Sequence, residues 1–593
     1  MCGIVGAIGL KETKKFLIDG LKELDYRGYD SAGVALLYDD KIECFKEVGA
    51  VSNLEKIIPQ DLESSLGIGH TRWATHGKPS TINCHPHASM HKLFYIVHNG
   101  VIENYASLKT ELENKGFVFK SETDTEVIAN QLEDNYFIYR DVIKAIEETM
   151  KMLKGSFAVA IITEMHRNHL FVMKRSSPLM IAISKDNFSL VASDASPMIR
   201  YTDKFIDLED EQYGSVSRTS VHLYKNGEEV EYTFTEKSPD LSKRDLMGYP
   251  HFMLKEIEEI EKVIRRLIVE YYDHGEFCFD KQLLKDIEDS DHIIFVGCGT
   301  SYHASLVGAR YFEKIGKTAS CYIASEWGYY PRYSGNKPFF IFLSQSGETA
   351  DVIRCLKIIK EKNIKSLVLT NTKGSSLERG CTYSLLLYAG LEVSVASTKA
   401  YVAQVTTLAL LTSSLIKNIE VISDLDKCLE VICDIKQNKK DKIMALAKKL
   451  KDEKDIYFLG RGYDYDLSLE ASLKLKEISY IHSDAVPGGE LKHGPIALMD
   501  NGTPVIVTIS DPITSQSMRG NVCEVESRGA KVYVISTASL SKESDYLIIK
   551  DHPSYLSPVV LSSFGFYFAY YVTTYKGFNV DKPRNLAKSV TVE

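Results

Sequence analysis

The order of apolar and polar positions divides the chain into strands and helices. Residues 2–9 (CGIVGAIG) form an apolar, glycine-rich run that predicts a buried strand. In residues 14–24, Phe16 and Leu21 belong to an apolar stripe with helical spacing, and residues 34–38 return to a continuous apolar run. The chain therefore begins with a predicted strand, helix and strand.

The second half of the chain repeats its own pattern. An apolar strand ending in a glycine turn begins at Phe295, and a similar one begins 163 residues later at Phe458. Helical patterns separate the strands that follow, which favours βαβ units and a parallel sheet. We therefore predict a duplicated doubly wound α/β domain, with copies at about 285–435 and 453–593.

A polar segment separates the two halves. Residues 236–250 (EKSPDLSKRDLMGYP) contain Pro239 and Pro250 and no apolar periodicity, which is typical of a domain boundary. The predicted organisation is a first domain at 2–238 and a linker with a connecting helix at 239–284, followed by the two copies.

Composition excludes several classes of protein. With 593 residues, 44% hydrophobic and 25% charged, the chain has enough apolar material for several cores. A net charge of −9 without a long basic run argues against binding nucleic acid. We expect no membrane-spanning helix and no secretory signal. The eleven cysteines are scattered without a CxxC pair, which favours free thiols in the cytoplasm.

Cys2 is the first candidate for chemistry. If Met1 is removed, Cys2 carries a thiol and a free α-amine on one residue. The amine titrates at about 7.7–8.0, close enough to cellular pH to take the proton of the thiol. The alternative is that Cys2 has no chemical role, and its position in the chain, taken alone, favours this alternative.

Three polar motifs in the first half could form a site with Cys2. Arg72, within GIGHTRWATHG, can hold a carboxylate through two hydrogen bonds, or can form an ordinary surface pair. Asn99-Gly100 after an apolar strand is typical of a hairpin turn, but it can also form an oxyanion hole. Residues 121–126 (SETDTE) open a predicted helix with Ser121 or Thr123 as its cap, and Asp124 could instead face an ammonium group.

A short tract rich in histidine resembles a metal site only superficially. The segment CHPHASMH at residues 84–91 places its potential ligands close together, and no second pair stands at zinc spacing. We therefore expect no metal there.

These motifs occur together, and in this order they resemble the class II glutamine amidotransferases of the N-terminal nucleophile fold. The motifs are CGIVG, YRGYDSAG, GHTRWATHG, HNGVIEN and SETDTE. The resemblance implies that Cys2 attacks the side-chain amide of glutamine, with its own α-amine as the base, and that Asn99 and Gly100 stabilise the oxyanion. It also implies that glutamine is held by Arg72, Thr75, His76 and Asp124, with Arg27 ordering the site.

Hydroxyl-rich turns mark the first copy of the repeat. Residues 344–349 (SQSGET) follow an apolar strand and open a helix, an arrangement that suits one phosphate ester. The run Gly297-x-Gly299-x-x-Tyr302 is no dinucleotide fingerprint, and a Walker lysine is missing. An ordinary N-cap cluster is the alternative interpretation of residues 344–349.

The second copy carries acid–base candidates. Lys474 and Glu477 stand at i, i+3 on one helix face, where they form either a surface ion pair or a proton shuttle. His493, in a loop predicted to be flexible, could act as an acid or a base. Lys588, in a well-patterned C-terminal tail, could form an imine with a carbonyl sugar.

The repeats resemble sugar isomerase (SIS) domains, on the motifs SQSGET, VASTKA, LKLKEISYIHSDA, GELKHGP and DKPRNLAKSVTVE. Joined to an amidotransferase domain, they resemble the family of glutamine–fructose-6-phosphate aminotransferases. The fold class implied is α/β: an N-terminal nucleophile (αββα) glutaminase domain followed by two doubly wound parallel-sheet SIS domains.

The resemblance also implies the substrates glutamine and fructose 6-phosphate, with no metal and no cofactor. Lys588 would form the Schiff base, Glu477 would move a proton between C1 and C2 with help from Lys474, and His493 would open the sugar ring from the partner subunit of a homodimer. Trp73 would gate the ammonia path. The sugar phosphate would be held by Thr300, Ser301, Ser344, Gln345, Ser346, Thr349 and Ser397.

Two other functions remain as alternatives. An amidotransferase acting on phosphoribosyl pyrophosphate would need a phosphoribosyltransferase signature, and the sequence contains none. A non-catalytic sugar-phosphate sensor would not need Cys2, Glu477, His493 and Lys588 together.

Overall fold

The computed structural model describes residues 2–25, 28, 30–73, 76–236 and 245–590. The chain divides into two compact units, Met1–Lys243 with Ser589–Glu593, and Arg244–Lys588.

The first unit contains two antiparallel sheets and five α-helices among its described residues. Its strands are β1 (Gly3–Ile8), β2 (Ser31–Tyr38), β3 (Lys41–Val48), β4 (Leu66–Arg72), β5 (His87–Ala88), β6 (Tyr95–Ile102), β7 (Gly155–Ile162), β8 (Leu170–Arg175), β9 (Met180–Ile183), β10 (Ser189–Ala192), β11 (Lys204–Asp207), β12 (Gln212–Val216), β13 (Val221–Lys225), β14 (Glu228–Val230) and β15 (Thr235–Glu236). Its helices are α1 (Thr13–Leu24), α2 (Val51–Ile57), α3 (Tyr105–Asn114), α4 (Thr125–Tyr139) and α5 (Val142–Met152).

The two sheets pack face to face. One sheet has the order β15-β11-β9-β10-β1-β4-β2-β3, and the other has the order β14-β13-β12-β8-β7-β6-β5. Ile4 and Ile68 of the first sheet share a buried core with Val97, Ala160 and Val172 of the second. Side chains alternate between the two faces of a strand, so every second side chain enters this core. The opposite face of each sheet is also apolar and needs to be covered.

Helices cover both outer faces. Phe16 and Leu21 of α1 pack with Val5 of β1, while Ile128 of α4 packs with Ile96 of β6. The layers are therefore helix, sheet, sheet and helix, as the αββα expectation requires. The first half of the predicted fold class is confirmed.

The second unit contains two parallel sheets, a short hairpin and many helices. Its strands are β16 (Tyr272–Asp273), β17 (Glu276–Phe277), β18 (His292–Gly297), β19 (Ala319–Ile323), β20 (Pro338–Leu343), β21 (Ser366–Thr370), β22 (Tyr383–Leu386), β23 (Asp455–Gly460), β24 (His482–Pro487), β25 (Pro504–Ile509), β26 (Lys531–Thr537) and β27 (Leu547–Ile549). Its helices are α6 (Phe252–Glu258), α7 (Ile260–Tyr271), α8 (Lys281–Glu288), α9 (Gly299–Lys314), α10 (Ala324–Trp327), α11 (Ala350–Glu361), α12 (Ser376–Gly380), α13 (Lys399–Leu415), α14 (Glu420–Asp434), α15 (Lys440–Leu450), α16 (Tyr463–Ser479), α17 (Pro512–Glu526) and α18 (Ser557–Tyr575).

The strand orders reveal the duplication. The first parallel sheet has the order β19-β18-β20-β21-β22, and the second has the order β24-β23-β25-β26-β27. Numbered along the chain, the strands of each copy lie side by side in the order 2-1-3-4-5. All neighbouring strands in both sheets are parallel. Such a sheet places its loops for ligands at the carboxyl ends of the strands. The predicted doubly wound parallel sheets are confirmed.

The structure excludes one alternative interpretation and corrects two local predictions. Asn99-Gly100 is no hairpin turn, because β6 continues through it to Ile102 and pairs with β7. The N-cap of α4 is Asp124 rather than Ser121 or Thr123. The segment Gly488–His493 is a 3-10 helix directly after β24, where the sequence suggested a flexible loop.

One apolar helix bears on the membrane question. The helix α18 is buried along most of its length, because it packs against α15 and α16 within the unit. Across the described part of the chain, no helix combines the length and apolarity that crossing a bilayer requires.

Candidate active sites

Cys2 lies directly before β1, with its thiol against Trp73. The backbone N–H of Trp73 donates a hydrogen bond to Sγ of Cys2 at 3.1 Å, and Sγ lies 3.6 Å from the carbonyl oxygen of Trp73. Burial raises the pKa of the Cys2 thiol above its usual value, although the Trp73 N–H acts in the opposite direction. The thiol therefore needs a base before it can act as a nucleophile.

Asn99 is oriented by both Cys2 and a buried histidine. Its Nδ2 donates to the carbonyl oxygen of Cys2 at 2.9 Å, and its Oδ1 lies 3.1 Å from Nε2 of His70. The same Nε2 lies 2.9 Å from the carbonyl oxygen of His98, so it must be the donor to both oxygens. Burial lowers the pKa of His70 to about 3, which keeps the ring neutral. Sequence reasoning missed His70, although it lies within the GHTRW motif.

Gly100 is required by the backbone at this position. Its φ is 138°, a conformation that side chains rarely adopt. A Cβ atom would lie 2.0 Å from the carbonyl oxygen of Ser156 on the neighbouring strand. The site can therefore present the Gly100 backbone only if the residue has no side chain.

Arg72 keeps part of its guanidinium group available. Its Nη2 donates to the carbonyl oxygens of His76 and Gly77, the latter at 2.9 Å. Its Nη1 is buried and has no hydrogen-bond partner among the described residues. Asp124 is also buried, and its Oδ2 accepts the backbone N–H of Ile102 at 2.8 Å. A buried cation with an open donor is suited to holding a carboxylate.

The remaining residues predicted to hold glutamine are less completely placed. The ring of His76 packs edge-on against Tyr105, with 5.1 Å between the ring centroids. Arg27 and Thr75 lie outside the described residues.

A buried histidine cluster lies beside the Cys2 site. His85 stacks on His70 at 4.1 Å between centroids and contacts His87 at 4.8 Å. Burial lowers the pKa values of His85, His87 and His98. Within the described ranges, no group of histidine, cysteine or acidic side chains has an arrangement that could hold a metal ion.

In the second unit, Lys588 forms a buried ion pair with Glu392. Its Nζ lies 2.5 Å from Oε2 of Glu392, and the two side chains are 6% and 0% exposed. Glu392 also accepts the Ser397 hydroxyl at 2.7 Å and the backbone N–H groups of Thr398 and Ala400 at 2.9 and 3.1 Å. Burial raises the pKa of Glu392, but Lys588 and these donors outweigh it and lower the value to about 2.

Glu392 was missed from the sequence. It stands three positions before the first residue of the VASTKA motif, and a single glutamate next to a turn carries no signal of its own. The structure brings it together with Ser397 and Lys588, two residues that the resemblance implicates separately.

A second buried network surrounds Lys474 on α16. Its Nζ lies 2.7 Å from Glu477, 2.9 Å from the hydroxyl of Thr300 and 3.4 Å from Glu470. Glu470 also accepts the Thr300 hydroxyl at 3.0 Å and lies 2.8 Å from Nδ1 of His303. Burial lowers the pKa of Lys474, but the two carboxylates outweigh it and raise the value above normal.

The surface ion pair is therefore excluded as an interpretation of Lys474 and Glu477. The Lys474 side chain is 1% exposed, whereas that of Glu477 is 20% exposed. One end of the pair is thus anchored in the protein, and the Glu477 carboxylate is the end that a ligand can reach. Glu470 and His303 were not predicted, although Glu470 stands one helical turn before Lys474.

The hydroxyl-rich turn lies between β20 and α11. Ser344 Oγ is 2.9 Å from Thr349 Oγ1 and accepts the Gly347 backbone N–H at 3.1 Å. Gly347 has a φ of +66°, and a Cβ there would lie 2.1 Å from the Ser375 hydroxyl. The turn at the end of a parallel strand therefore exposes hydroxyl and N–H donors at a helix N-terminus, which suits an anion.

The other residues predicted for the sugar site lie partly in this turn and partly elsewhere in the unit. Ser301 lies in the first turn of α9 next to Thr300, and its hydroxyl accepts a hydrogen bond from Gln404 at 2.9 Å. Gln345 and Ser346 lie within the turn itself. His493 is exposed, and no hydrogen bond joins it to Glu477 or Lys588 in the described parts of the unit.

Two family models match the chain. The model described as "SIS domain" matches residues 286–414 and 449–569, and the model described as "Glutamine amidotransferase domain" matches residues 77–200.

Curated proteins with the same architecture are similar over the full length. A glutamine–fructose-6-phosphate aminotransferase (isomerizing) from Bacillus thuringiensis subsp. konkukian is 44% identical over 608 aligned positions, covering 100% of both chains. A protein of the same name from Geobacillus kaustophilus is 43% identical, again covering 100% of both. The solved C-terminal domain of glucosamine-fructose-6-phosphate aminotransferase from Francisella tularensis is 32% identical with a TM-score of 0.55, and the match covers 57% of this chain and 100% of that domain.

Proposed function

The chain belongs to the glutamine–fructose-6-phosphate aminotransferase (isomerizing) family, and on this premise we propose that it hydrolyses glutamine and transfers the ammonia to fructose 6-phosphate. The products are glutamate and glucosamine 6-phosphate, the first committed step towards amino-sugar nucleotides. The observation that carries the proposal is the full-length sequence identity of 44%, together with two separate sets of reactive groups, one in each unit.

Glutamine hydrolysis takes place at Cys2. After removal of Met1, the α-amine takes the thiol proton, and the thiolate attacks the side-chain amide carbon. Asn99 and the Gly100 N–H stabilise the oxyanion, and the raised pKa of the thiol means that the amine is needed as base. Arg72 holds the α-carboxylate of glutamine with its open Nη1, and Asp124, His76, Thr75 and Arg27 complete the site.

Lys588 forms an imine with C2 of the ketose. The ammonium gives one proton to a base, the amine attacks the carbonyl carbon, and the carbonyl oxygen leaves as water. Glu392 is the base nearest to this nitrogen, at 2.5 Å, and its negative charge then faces the iminium cation. Ammonia displaces Lys588 from C2, which releases the lysine for the next cycle.

Glu477 carries the proton between C1 and C2 of the aminated sugar, which converts the ketose skeleton to the aldose. Lys474 holds the Glu477 carboxylate from the buried side at 2.7 Å and so fixes its position. His493 opens the sugar ring and is contributed by the partner subunit of a homodimer. The phosphate lies in the turn of Ser344, Gln345, Ser346 and Thr349, and Thr300, Ser301 and Ser397 contact the sugar.

Ammonia passes through the protein between the two reactions. Ammonia that is protonated in water is no longer a nucleophile. A path that excludes water therefore keeps the ammonia reactive. Trp73, whose backbone contacts the Cys2 thiol, gates the entrance. The protein acts in the cytoplasm, with domains at 2–238, 285–435 and 453–593 and a connecting segment at 239–284.

A product assay tests this function. Purified protein is incubated with glutamine and fructose 6-phosphate, and glutamate and glucosamine 6-phosphate are quantified against time. Equal amounts of both are expected. Glutamate without the amino sugar would contradict the assignment of the sugar half. If mass spectrometry shows that Met1 has been removed and the protein still forms neither product, the enzyme assignment is contradicted.

A further inference from the structure

Glu256 is a buried carboxyl group on α6, the first helix of the second unit, and it lies beside the Lys588 site. We propose that Glu256 is a positioning residue for the Lys588 amine: it fixes the main chain next to Glu392, and its charge sets how tightly Glu392 holds that amine. This inference rests on the proposed role of Lys588.

Hydrogen bonds connect Glu256 to the chain around Glu392. Its Oε1 accepts the backbone N–H groups of Val393 and Ser394, at 2.5 and 3.1 Å. These are the two residues that follow Glu392. The side chain is 2% exposed, and its Oε2 has no partner among the described residues. A carboxyl group with one oxygen satisfied and the other buried alone is costly unless it is protonated.

Other contacts hold α6 against the same loop. Asp581 accepts the first N–H groups of the helix, from Phe252 and Met253, each at 2.8 Å. The backbone N–H of Val395 donates to the carbonyl oxygen of Asp581 at 3.3 Å. At the other end of the helix, Glu259 pairs with Lys399 at 2.7 Å. The position of Glu256 relative to the loop is therefore fixed from both ends of α6.

The charges around Glu256 determine its protonation. Burial first, and Glu392 second, raise the pKa of Glu256 to about 8, whereas Lys588, Lys399 and the Val393 N–H act in the opposite direction. At neutral pH the group is an uncharged acid, and a single carboxylate, that of Glu392, faces Lys588. Above pH 8, Glu256 ionises and a second negative charge stabilises the Lys588 ammonium.

This change acts on the step that forms the imine. The ammonium must lose a proton before its nitrogen can bond to C2, and the carbonyl oxygen takes two protons as it leaves as water. A second carboxylate attracts the ammonium form of Lys588 and makes the loss of this proton less favourable. Glu256 thus affects the rate through Glu392 and Lys588 without touching the sugar.

Borohydride trapping of the Lys588 imine tests the proposal. Full-length protein is mixed with fructose 6-phosphate at several pH values between 6 and 10, quenched with borohydride, and the adduct on Lys588 is quantified by peptide mass spectrometry. At pH 7, Glu256→Gln is expected to match the wild type, because an amide oxygen accepts the same two N–H groups. Glu256→Ala is expected to trap about tenfold more slowly, because both donors lose their acceptor.

The pH profile separates charge from structure. In Glu256→Gln the pH of half-maximal trapping rate is expected to be about one unit lower than in the wild type, because the second charge cannot form. Glu261→Gln, on the neighbouring helix α7, is the matched control and is expected to keep the wild-type profile. An unchanged profile in Glu256→Gln, or equal defects in Glu256→Gln and Glu256→Ala at pH 7, would overturn the inference. No adduct on Lys588 in the wild type would instead overturn the proposed function on which it rests.

Discussion

The Nζ atom of Lys588 lies 2.5 Å from Oε2 of Glu392, and both groups are buried in the second unit. A buried ion pair is expensive to desolvate, and removing one partner leaves the other charge unpaired. Such a pair contributes little to the stability of the folded protein, so we infer that its role lies in the proposed reaction. In the proposed reaction, the pair keeps the Lys588 amine in place beside the Glu392 carboxylate.

Replacing Glu392 by glutamine tests this pairing. We expect the rate of Lys588 imine formation to fall about 10²-fold, a typical contribution of one general base. The pH of half-maximal trapping is expected to decrease as well, because the Lys588 ammonium loses the carboxylate with which it pairs. Trapping measured against pH checks both effects, with the exposed Glu430→Gln on α14 as the control. A wild-type profile in Glu392→Gln would contradict the role.

Lys588→Arg tests the nucleophile itself. Arginine keeps the positive charge for Glu392 but forms no imine, so we expect amino-sugar formation and the borohydride adduct to disappear. Glutamate release in the first unit is expected to continue. The control Lys550→Arg makes the same exchange at an exposed position. An adduct on another lysine of the Lys588→Arg protein would show that the imine was assigned to the wrong residue.

Two glycines with positive φ form a matched pair for the oxyanion site. A Cβ at Gly100 would collide with the Ser156 carbonyl at 2.0 Å, whereas a Cβ at Gly116, φ +92°, meets nothing within 4 Å. Both alanine variants place a side chain in a rarely populated backbone conformation, which costs about 1–3 kcal/mol, and Gly100→Ala adds the collision with Ser156. Only Gly100→Ala is expected to lower glutamate release, by at least ~10²-fold, the cost of one oxyanion donor. Equal activities of the two variants would remove Gly100 from the site.

Cys2→Ala is expected to abolish glutamate release and to leave the fructose 6-phosphate adduct on Lys588 intact. The reason is that the two sets of reactive groups lie in different units. Cys44→Ala, on β3 of the same unit, is the control and should release glutamate at the wild-type rate. Glutamate release by the Cys2→Ala protein would exclude Cys2 as the nucleophile.

The raised pKa of Glu256 makes the free energy of unfolding depend on pH. Its pKa rises from 4.5 to about 8 on folding, so between these values the folded chain binds a proton that the unfolded chain has released. Stability must therefore fall as pH rises through this window, by up to ~1.4 kcal/mol per unit from this group. In Glu256→Gln this contribution is absent, so its melting temperature relative to the wild type is expected to increase from pH 5 to pH 8. A constant difference would contradict the raised pKa.

Sequence patterns predicted the architecture well, because each element carries its own periodicity. The buried run at 2–9 and the apolar run before residue 344 form strands, and repeated glycine turns at Gly297 and Gly460 mark the start of two equivalent sheets. Asn99-Gly100 shows where a local signal failed. The pair favours a turn, but pairing with β7 along the whole of β6 is a tertiary contact that outweighed it.

The residues missed were those whose role depends on distant partners. Glu392 and Lys588 are 196 positions apart, and Thr300 and Glu470 are 170 apart. No spacing rule relates such positions, so a buried charge network becomes visible only in the folded chain. Lys474 and Glu477, in contrast, were found together because one helix turn joins them.

An isotope experiment tests the central claim most directly. The protein is supplied with fructose 6-phosphate and glutamine labelled with ¹⁵N in the side-chain amide, in the presence of excess unlabelled ammonium, and the isotope in the amino group of glucosamine 6-phosphate is measured. We predict that nearly all of this nitrogen is ¹⁵N, with one glutamate formed for each amino sugar. An amino sugar that carries the unlabelled nitrogen of the solvent would contradict transfer within the protein, and labelled ammonium accumulating without any amino sugar would contradict the proposed function itself.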